Sequence, residues 1–105
     1  MADLAALLKQ LNHHDEIERR IAIDELSEIG ESAIDPLIDV LNDGQLYVRG
    51  GAALVLGQLS AFSSAERSLP ILINMLCDTA EYAQRSAAVA LAQFDDGDAV
   101  ASDTE

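Results

Sequence analysis

Three stretches of the sequence repeat one pattern: IERRIAIDELSEI (17–29), YVRGGAALVLGQL (47–59) and YAQRSAAVALAQF (82–94). The second follows the first after 30 residues, and the third follows the second after 35. The equivalent positions that keep one residue type are Ala22, Ala52 and Ala87, and Leu26, Leu56 and Leu91. Self-similarity with a period of this length is typical of proteins built from stacked supersecondary repeats.

A second kind of segment precedes each of these stretches. The segments are LAALLKQLN (4–12), AIDPLIDVLND (33–43) and SLPILINMLCD (68–78), and each carries two leucines four residues apart. Leucines at that spacing lie on one face of a helix. The sequence therefore predicts an all-α fold, a short α-solenoid (α-α superhelix) of three helix pairs over residues 1–94.

The boundaries of the repeats follow from the same pattern. The three repeats cover residues 1–30, 31–60 and 61–94, and the predicted helices are 2–12, 15–29, 32–42, 46–60, 65–77 and 80–94. Residues 95–105 contain five acids, and we expect them to form a non-helical, disordered acidic tail.

The second repeat resembles a HEAT-type repeat, and the residues that carry the resemblance are Asp43, Val48-Arg49, Ala52-Ala53 and Leu56-Gly57. More narrowly, it resembles the HEAT-like repeats named after phycobilisome lyases. The third repeat keeps Asp78 but has Gln84 in place of the arginine, and the first keeps Arg19 but has His13 in place of the aspartate. The resemblance covers residues 1–94. It implies three HEAT-like helix pairs, in which the second helix of each pair lines a concave face that binds partners.

The aspartate and the arginine of this pattern have a structural role. Asp43 lies in a turn, where its carboxylate can accept from the free amides that open the next helix. Arg49 follows six residues later and can reach back to this turn and across to the neighbouring repeat. The structural residues of the prediction are Asp43, Arg49, Asp78 and Arg19.

A helical wheel divides the stretch 47–59 into two arcs. The arc that must be buried contains Val48, Ala52, Val55, Leu56 and Leu59. The opposite arc provides the predicted partner-binding residues, which are Tyr47, Gly50, Leu54 and Gln58 and their third-repeat equivalents Tyr82, Arg85, Val89 and Gln93. The first repeat is charged on this arc, as expected for the N-terminal cap of a solenoid. A second interpretation stays open, in which these side chains pack between neighbouring helices.

The charge of the chain excludes several kinds of partner. Asp and Glu number 19 against 6 Lys and Arg, giving a formal net charge of −13. Nucleic acids and anionic membranes need clustered positive charge, and no apolar run approaches the roughly 18–20 residues of a membrane span. No secretory signal is visible, and one cysteine forms no internal disulfide. We expect a cytoplasmic protein whose acidic rim favours a partner with a basic surface.

Candidate reactive residues do not form a catalytic set. His13-His14-Asp15-Glu16 contains metal-ligand residue types, but adjacent residues in a turn do not converge on one ion, so no metal site is predicted. Cys77 is either a small buried hydrophobe, which we expect, or an attachment point for a linear tetrapyrrole. No nucleophile has an identifiable histidine base, so we predict no catalytic residue and no cofactor.

The sequence thus favours a non-catalytic protein–protein interaction module, a HEAT-repeat scaffold or adaptor. The resemblance implies an alternative, a phycobilin lyase subunit or a factor in phycobiliprotein assembly or degradation. No polar replacement marks the last repeat, so its C-terminal end is either open, to dock a second copy or another protein, or covered by the acidic tail. A homodimer through that repeat is therefore a further expectation.

Overall fold

The computed structural model of the protein describes residues 3–43 and 45–103. These residues form six α-helices: α1 (Leu4–Gln10), α2 (Glu16–Ile29), α3 (Ile34–Val40), α4 (Leu46–Gln58), α5 (Leu69–Met75) and α6 (Glu81–Asp103). Short 3-10 segments, Gly30–Ala33 and Ser63–Ser68, precede α3 and α5. The structure confirms the predicted all-α solenoid fold.

The helices form two layers. Each short helix packs on the long helix that follows it, so that the pairs are α1 with α2, α3 with α4, and α5 with α6. The long helices also pack on one another in the order α2, α4, α6. The core between the layers is aliphatic, and its fully buried leucines include Leu7, Leu11, Leu37, Leu41, Leu72, Leu26 and Leu56. The leucines four residues apart in the short helices therefore provide one side of the core in the first two repeats.

Local signals explain where α2 begins and ends. Asp15 is its N-cap, and the Asp15 carboxylate accepts from the amide of Ile17 at 2.9 Å. Such a bond satisfies one of the amides that have no partner within the helix. The helix ends at Gly30, whose φ of 84° lies in the left-handed region that favours glycine.

Helices α3 and α5 are shorter than predicted because each is preceded by a 3-10 segment. The predictions 32–42 and 65–77 placed regular α-helix where the chain forms these segments. Pro36 and Pro70 lie in the first turns of α3 and α5. A proline is tolerated there because the missing N–H has no helical acceptor, whereas deeper in a helix it would break the hydrogen-bond ladder.

Helix α6 extends beyond the predicted end of the third repeat. It runs to Asp103, so the prediction of a non-helical tail is wrong for residues 95–103, and residues 104 and 105 lie outside the described residues. Extending an existing helix adds one hydrogen bond per residue without a new nucleus, and no proline interrupts this segment. Within the described residues no helix, including α6, is both long and apolar enough to cross a membrane.

Helices α4 and α6 approach closely because two positions of α4 lack a side chain. A Cβ atom at Gly50 would lie 2.6 Å from Cδ2 of Tyr82, and one at Gly57 would lie 2.7 Å from Cα of Ala90. On the other layer, a cavity of about 370 Å³ lies between α5 and the turn that follows α3. We call the side of α2, α4 and α6 that faces away from the short helices the inner face.

Candidate functional site

A cavity of about 110 Å³ opens on the inner face. Its lining residues come from all three long helices and are Glu16, Arg19, Arg20, Ile23, Leu54 and Tyr82. Ile23 and Leu54 provide apolar surface, and the other four residues provide charged or polar groups. Two of the predicted partner-binding residues, Leu54 and Tyr82, therefore lie in one concave site.

Arg19 links the three repeats through the ring faces of two tyrosines. Its side chain is buried, and its guanidinium carbon lies 4.0 Å from the ring centroid of Tyr47 and 5.5 Å from that of Tyr82. The two rings meet edge to face with centroids 5.3 Å apart. Cation–π and aromatic contacts of this kind stabilise the buried charge and orient the rings.

The backbone contacts of Arg19 complete this cluster. Its Nη1 donates to the carbonyls of His13 at 2.9 Å and His14 at 3.1 Å, whereas its buried Nε has no hydrogen-bond partner among the described residues. The cluster was not predicted from the sequence, because its members come from three repeats and no spacing within one helix brings them together. The only signal was an arginine in the first repeat and a tyrosine in each later one.

Arg49 joins the second repeat to the third. Its Nη1 donates to the carbonyl of Asp43 at 3.1 Å, and its Nε and Nη2 donate to the two carboxylate oxygens of Asp78 at 3.1 and 2.9 Å. The two side chains are only 18% and 15% exposed. A bidentate, partly buried ion pair of this kind fixes the relative orientation of its two side chains. The contact therefore sets the position of the third repeat against the second.

Both aspartates of this pattern also hold the turn before a long helix. Asp43 accepts from the amide of Gln45, and Asp78 accepts from the amide of Ala80, each at 2.8 Å. The pKa of Asp78 is lowered first by this amide and then by Arg49, which together outweigh the opposing effect of burial. Arg19 contacts the corresponding turn of the first repeat through the carbonyl of His13.

The residues predicted to lie on the outward arc of the helical wheel differ in burial. Gly50 is buried beneath Tyr82 and Ser86, so the expectation that it faces outward is wrong. The wheel missed this because the covering residues belong to the next repeat. The half-buried members are Tyr47, Leu54, Tyr82 and Gln93, and the exposed ones are Gln58, Arg85 and Val89.

The exposed part of the inner face has an apolar centre. Val89 is 50% exposed and occupies in α6 the position that Leu54 occupies in α4, so both lie on the same side of the layer. Ile17, equivalent to Tyr47, is also exposed. Gln58 is tied to α2, because its Oε1 accepts from the hydroxyl of Ser27. Leu54 and Val89 are therefore the apolar residues that a ligand on this face would cover.

Charged side chains surround this apolar centre. Arg20 pairs with Asp24 at 3.8 Å, and Arg85 pairs with Glu81 at 3.6 Å, each within one exposed helical turn. Further exposed acids on α2 are Glu16 and Glu28. Because these two exposed arginines are already beside acids of their own helices, acids outnumber bases on the exposed rim of the inner face, whereas the cavity itself contains Arg19 and Arg20 against Glu16.

The remaining candidate residues lie away from this site. Cys77 is exposed, so the expectation that it is buried is wrong, because it follows the end of α5 at the position of Asn12 and Asn42, which are also exposed. The rings of His13 and His14 stack with centroids 4.6 Å apart, and His13 Nδ1 accepts from the amide of Asp15. In the part of the chain that the structure describes, no three metal-ligating side chains come together.

Comparison with known proteins agrees with this architecture. A family profile described as HEAT repeats matches residues 4–92. No curated protein matches the sequence. The match supports the repeat pattern read from the sequence but not the narrower resemblance to the phycobilisome lyase repeats.

Proposed function

Since this chain belongs to the HEAT-repeat family, we propose that it is a non-catalytic interaction module that binds a protein partner on its inner face. HEAT repeats generally serve as protein-interaction scaffolds. In this function the solenoid provides shape, and its rigid helices present side chains that need little reordering on binding.

One observation supports this function above the others: the open cavity lined by Leu54, on the face that also exposes Val89. Protein interfaces commonly have an apolar centre and a polar rim, and much of their binding energy comes from side chains that fill pockets near the centre. A cavity of about 110 Å³ has the volume of only a few water molecules, so it suits a single side chain of the partner.

The charge of the protein favours a partner with a basic surface. The net charge is −13, and the exposed rim of the inner face contains the acids Glu16 and Glu28 in addition to those beside Arg20 and Arg85. Opposite charge on a partner speeds encounter and opposes binding of acidic competitors. We therefore expect the retained partner to dissociate more readily as the salt concentration rises.

The test is a capture experiment with surface variants. The immobilised protein is incubated with lysate from its source cell, and retained proteins are identified by mass spectrometry. We expect a protein that the wild type retains and that both Val89→Asp and Leu54→Asp lose. Ala5→Asp, on the exposed side of α1, introduces the same charge on the outer layer and should retain it.

Far-UV circular dichroism of each variant separates loss of binding from loss of fold. If the folded Val89→Asp and Leu54→Asp variants retain the same proteins as the wild type, the inner face is not the binding surface. If Ala5→Asp loses the partner as well, the added negative charge alone explains the effect, and the proposal also fails.

Two narrower expectations stay predictions. A cytoplasmic location and work on phycobilin chromophores come from the sequence and its resemblance, and no contact in the described part of the chain favours the second. The homodimer through the third repeat stays a prediction as well.

A further inference from the structure

A buried arginine on the inner face has hydrogen-bond donors that meet no acceptor. Arg19 is only 8% exposed, and its Nη1 donates to the carbonyls of His13 and His14. Among the described residues its buried Nε has no hydrogen-bond partner, no hydrogen bond involves its Nη2, and no carboxylate forms an ion pair with it. A buried cation without an anion is costly, so Arg19 favours a ligand that supplies a negative charge.

The second repeat shows what an arginine at this position binds. Arg49 is the equivalent of Arg19, and its Nη1 likewise donates to a carbonyl of its own turn. The other edge of the Arg49 guanidinium, Nε and Nη2, donates to both carboxylate oxygens of Asp78 in the following repeat. For Arg19 the corresponding acid is Asp43, whose carboxylate accepts from an amide of its own turn instead. Arg19 therefore has a guanidinium edge that matches a carboxylate but contacts none in the described part of the chain.

The tyrosine rings beside Arg19 do not replace a carboxylate. The guanidinium carbon lies 4.0 Å from the ring centroid of Tyr47 and 5.5 Å from that of Tyr82. A ring face attracts a cation, but the guanidinium N–H groups are hydrogen-bond donors that need an acceptor. A carboxylate binds the edge formed by Nε and Nη2 with two parallel, charge-assisted hydrogen bonds, which are roughly twice as strong as neutral ones. The favoured ligand group is therefore a carboxylate.

The cavity of about 110 Å³ on the inner face leads to this arginine, because Arg19 lines it together with Ile23 and Leu54. The Nη2 of Arg19 is neither hydrogen-bonded nor fully buried, so an oxygen in the cavity reaches it directly. Ile23 and Leu54 provide apolar walls that suit methylene groups. A lysine or arginine of a partner would instead place a further cation beside Arg19 and Arg20.

We propose that the cavity binds the side chain of a glutamate of the protein partner, an inference that rests on the proposed function of the inner face. The glutamate carboxylate accepts from Nη2 and Nε of Arg19, as the carboxylate of Asp78 accepts from Arg49. Its two methylene groups pack on Ile23 and Leu54. The buried charge of Arg19 thereby gains the anion that Arg49 already has within the chain.

The acids on the rim restrict the sequence around this glutamate. Glu16 and Glu28 are exposed, and the chain has a net charge of −13, so a ligand with only negative charges is repelled as it approaches. Basic residues on both sides of the glutamate pair with the rim while the glutamate enters the cavity. The partner segment is therefore a glutamate flanked by lysine or arginine.

The test is a titration of the ¹⁵N-labelled full chain with three peptides, followed by NMR. The first reads Lys-Lys-Gly-Glu-Gly-Lys-Lys with both ends blocked, and the second has glutamine in place of glutamate. The third is the second peptide with a free C-terminal carboxylate. The signal of interest is the Nε–H of Arg19, which is assigned by its absence from the spectrum of Arg19→Lys.

We expect the glutamate peptide to shift the Arg19 signal until the site is saturated. The glutamine peptide should bind about tenfold more weakly, because it lacks the charge-assisted hydrogen bonds, and should leave the signal in place. The third peptide should behave like the second, since a terminal carboxylate has no methylene groups to place on Ile23 and Leu54.

Two variants test the role of the guanidinium. Arg19→Lys keeps the charge but not the planar edge, so it should bind the first two peptides with similar affinity. Arg67→Lys is the matched control, because Arg67 is exposed and precedes α5, away from the cavity, and it should keep the preference for glutamate. Circular dichroism checks the fold of both, and if Arg19→Lys does not fold, the comparison of peptides on the wild type decides.

Equal affinity for the first two peptides, an unchanged Arg19 signal at saturation, or no binding of the glutamate peptide at millimolar concentration would overturn the proposal. A third peptide that binds like the first would assign the cavity to a chain terminus and would also overturn it. The proposed function is tested separately by capture with Leu54→Asp and Val89→Asp. A captured partner without a glutamate preference would leave that function standing alone, whereas a glutamate preference without a captured partner would show the reverse.

Discussion

Replacement of Arg49 by alanine removes the contact that joins the second and third repeats. The guanidinium donates two hydrogen bonds to Asp78, at 3.1 and 2.9 Å, and one to the carbonyl of Asp43 at 3.1 Å. Removing one partner of a buried ion pair costs about 3–5 kcal/mol, because the other charge is left without compensation. Here both side chains keep 15–18% of their exposure, so solvent screening lowers the expected loss to about 2–3 kcal/mol.

Urea unfolding followed by circular dichroism measures this loss. We expect the unfolding midpoint to fall while the slope with urea stays the same, since the surface exposed on unfolding does not change. In a thermal scan, a loss of about 2–3 kcal/mol corresponds to a fall in Tm of roughly 10–20 °C for a domain of this size. Arg49→Lys keeps the charge but not the planar fork, so its stability should lie between those of the wild type and the alanine variant.

Arg85→Ala is the matched control for Arg49→Ala. Arg85 also lies near a carboxylate, that of Glu81 at 3.6 Å, but both side chains are 77% exposed. Exposed pairs one helical turn apart stabilise by only about 0.3–0.5 kcal/mol. If Arg49→Ala and Arg85→Ala lower the unfolding free energy equally, burial and bidentate hydrogen bonding do not make the Arg49–Asp78 pair more stabilising than an exposed pair.

Three further predictions concern packing and pH. Gly57→Ala should lower the unfolding free energy by about 1–2 kcal/mol despite the better helix propensity of alanine, because its Cβ would meet the backbone of Ala90 at 2.7 Å; an unchanged urea midpoint would contradict the close approach of α4 and α6. Leu37→Ala should lower it by about 2–5 kcal/mol, since Leu37 is fully buried, and a loss below about 1 kcal/mol would mean that the core is loosely packed. The pKa of Asp78 lies below its usual value of 3.8, so the stabilisation by its carboxylate is present above about pH 4 and is lost as the pH falls through the folded-state pKa. Unfolding free energies measured from pH 7 down to acid should therefore differ most between the wild type and Asp78→Asn above pH 4, and a constant difference would refute this assignment.

Much of the fold was predictable because it depends on local periodicity. Leucines four residues apart and the repeated Ala and Leu positions require two amphipathic helices per repeat. The helix boundaries differed, with the largest differences at the 3-10 segments that precede α3 and α5 and at the extension of α6. Both differences concern how far a helix extends along the chain. The extent depends on small, competing contributions to the free energy of the helix, which a proline in the first turn or the absence of a helix-breaking residue can change.

The candidate site was predictable only in part. The wheel placed Leu54 and Val89 on an outward arc, and both are at least partly accessible. The same wheel placed Gly50 on that arc, although Tyr82 covers it from the next repeat. A wheel records which residues share a face of one helix but not which neighbouring helix covers that face.

By itself, the sequence determined the all-α class, the three helix pairs, the leucines of the core and the acidic character of the chain. Each of these follows from spacing within one helix or from composition. Only the tertiary structure decided that Arg19 stacks on Tyr47, that Gly50 lies against Tyr82, and that Gly57 lies against Ala90. These contacts join residues of successive repeats, and their geometry depends on how closely successive long helices approach one another.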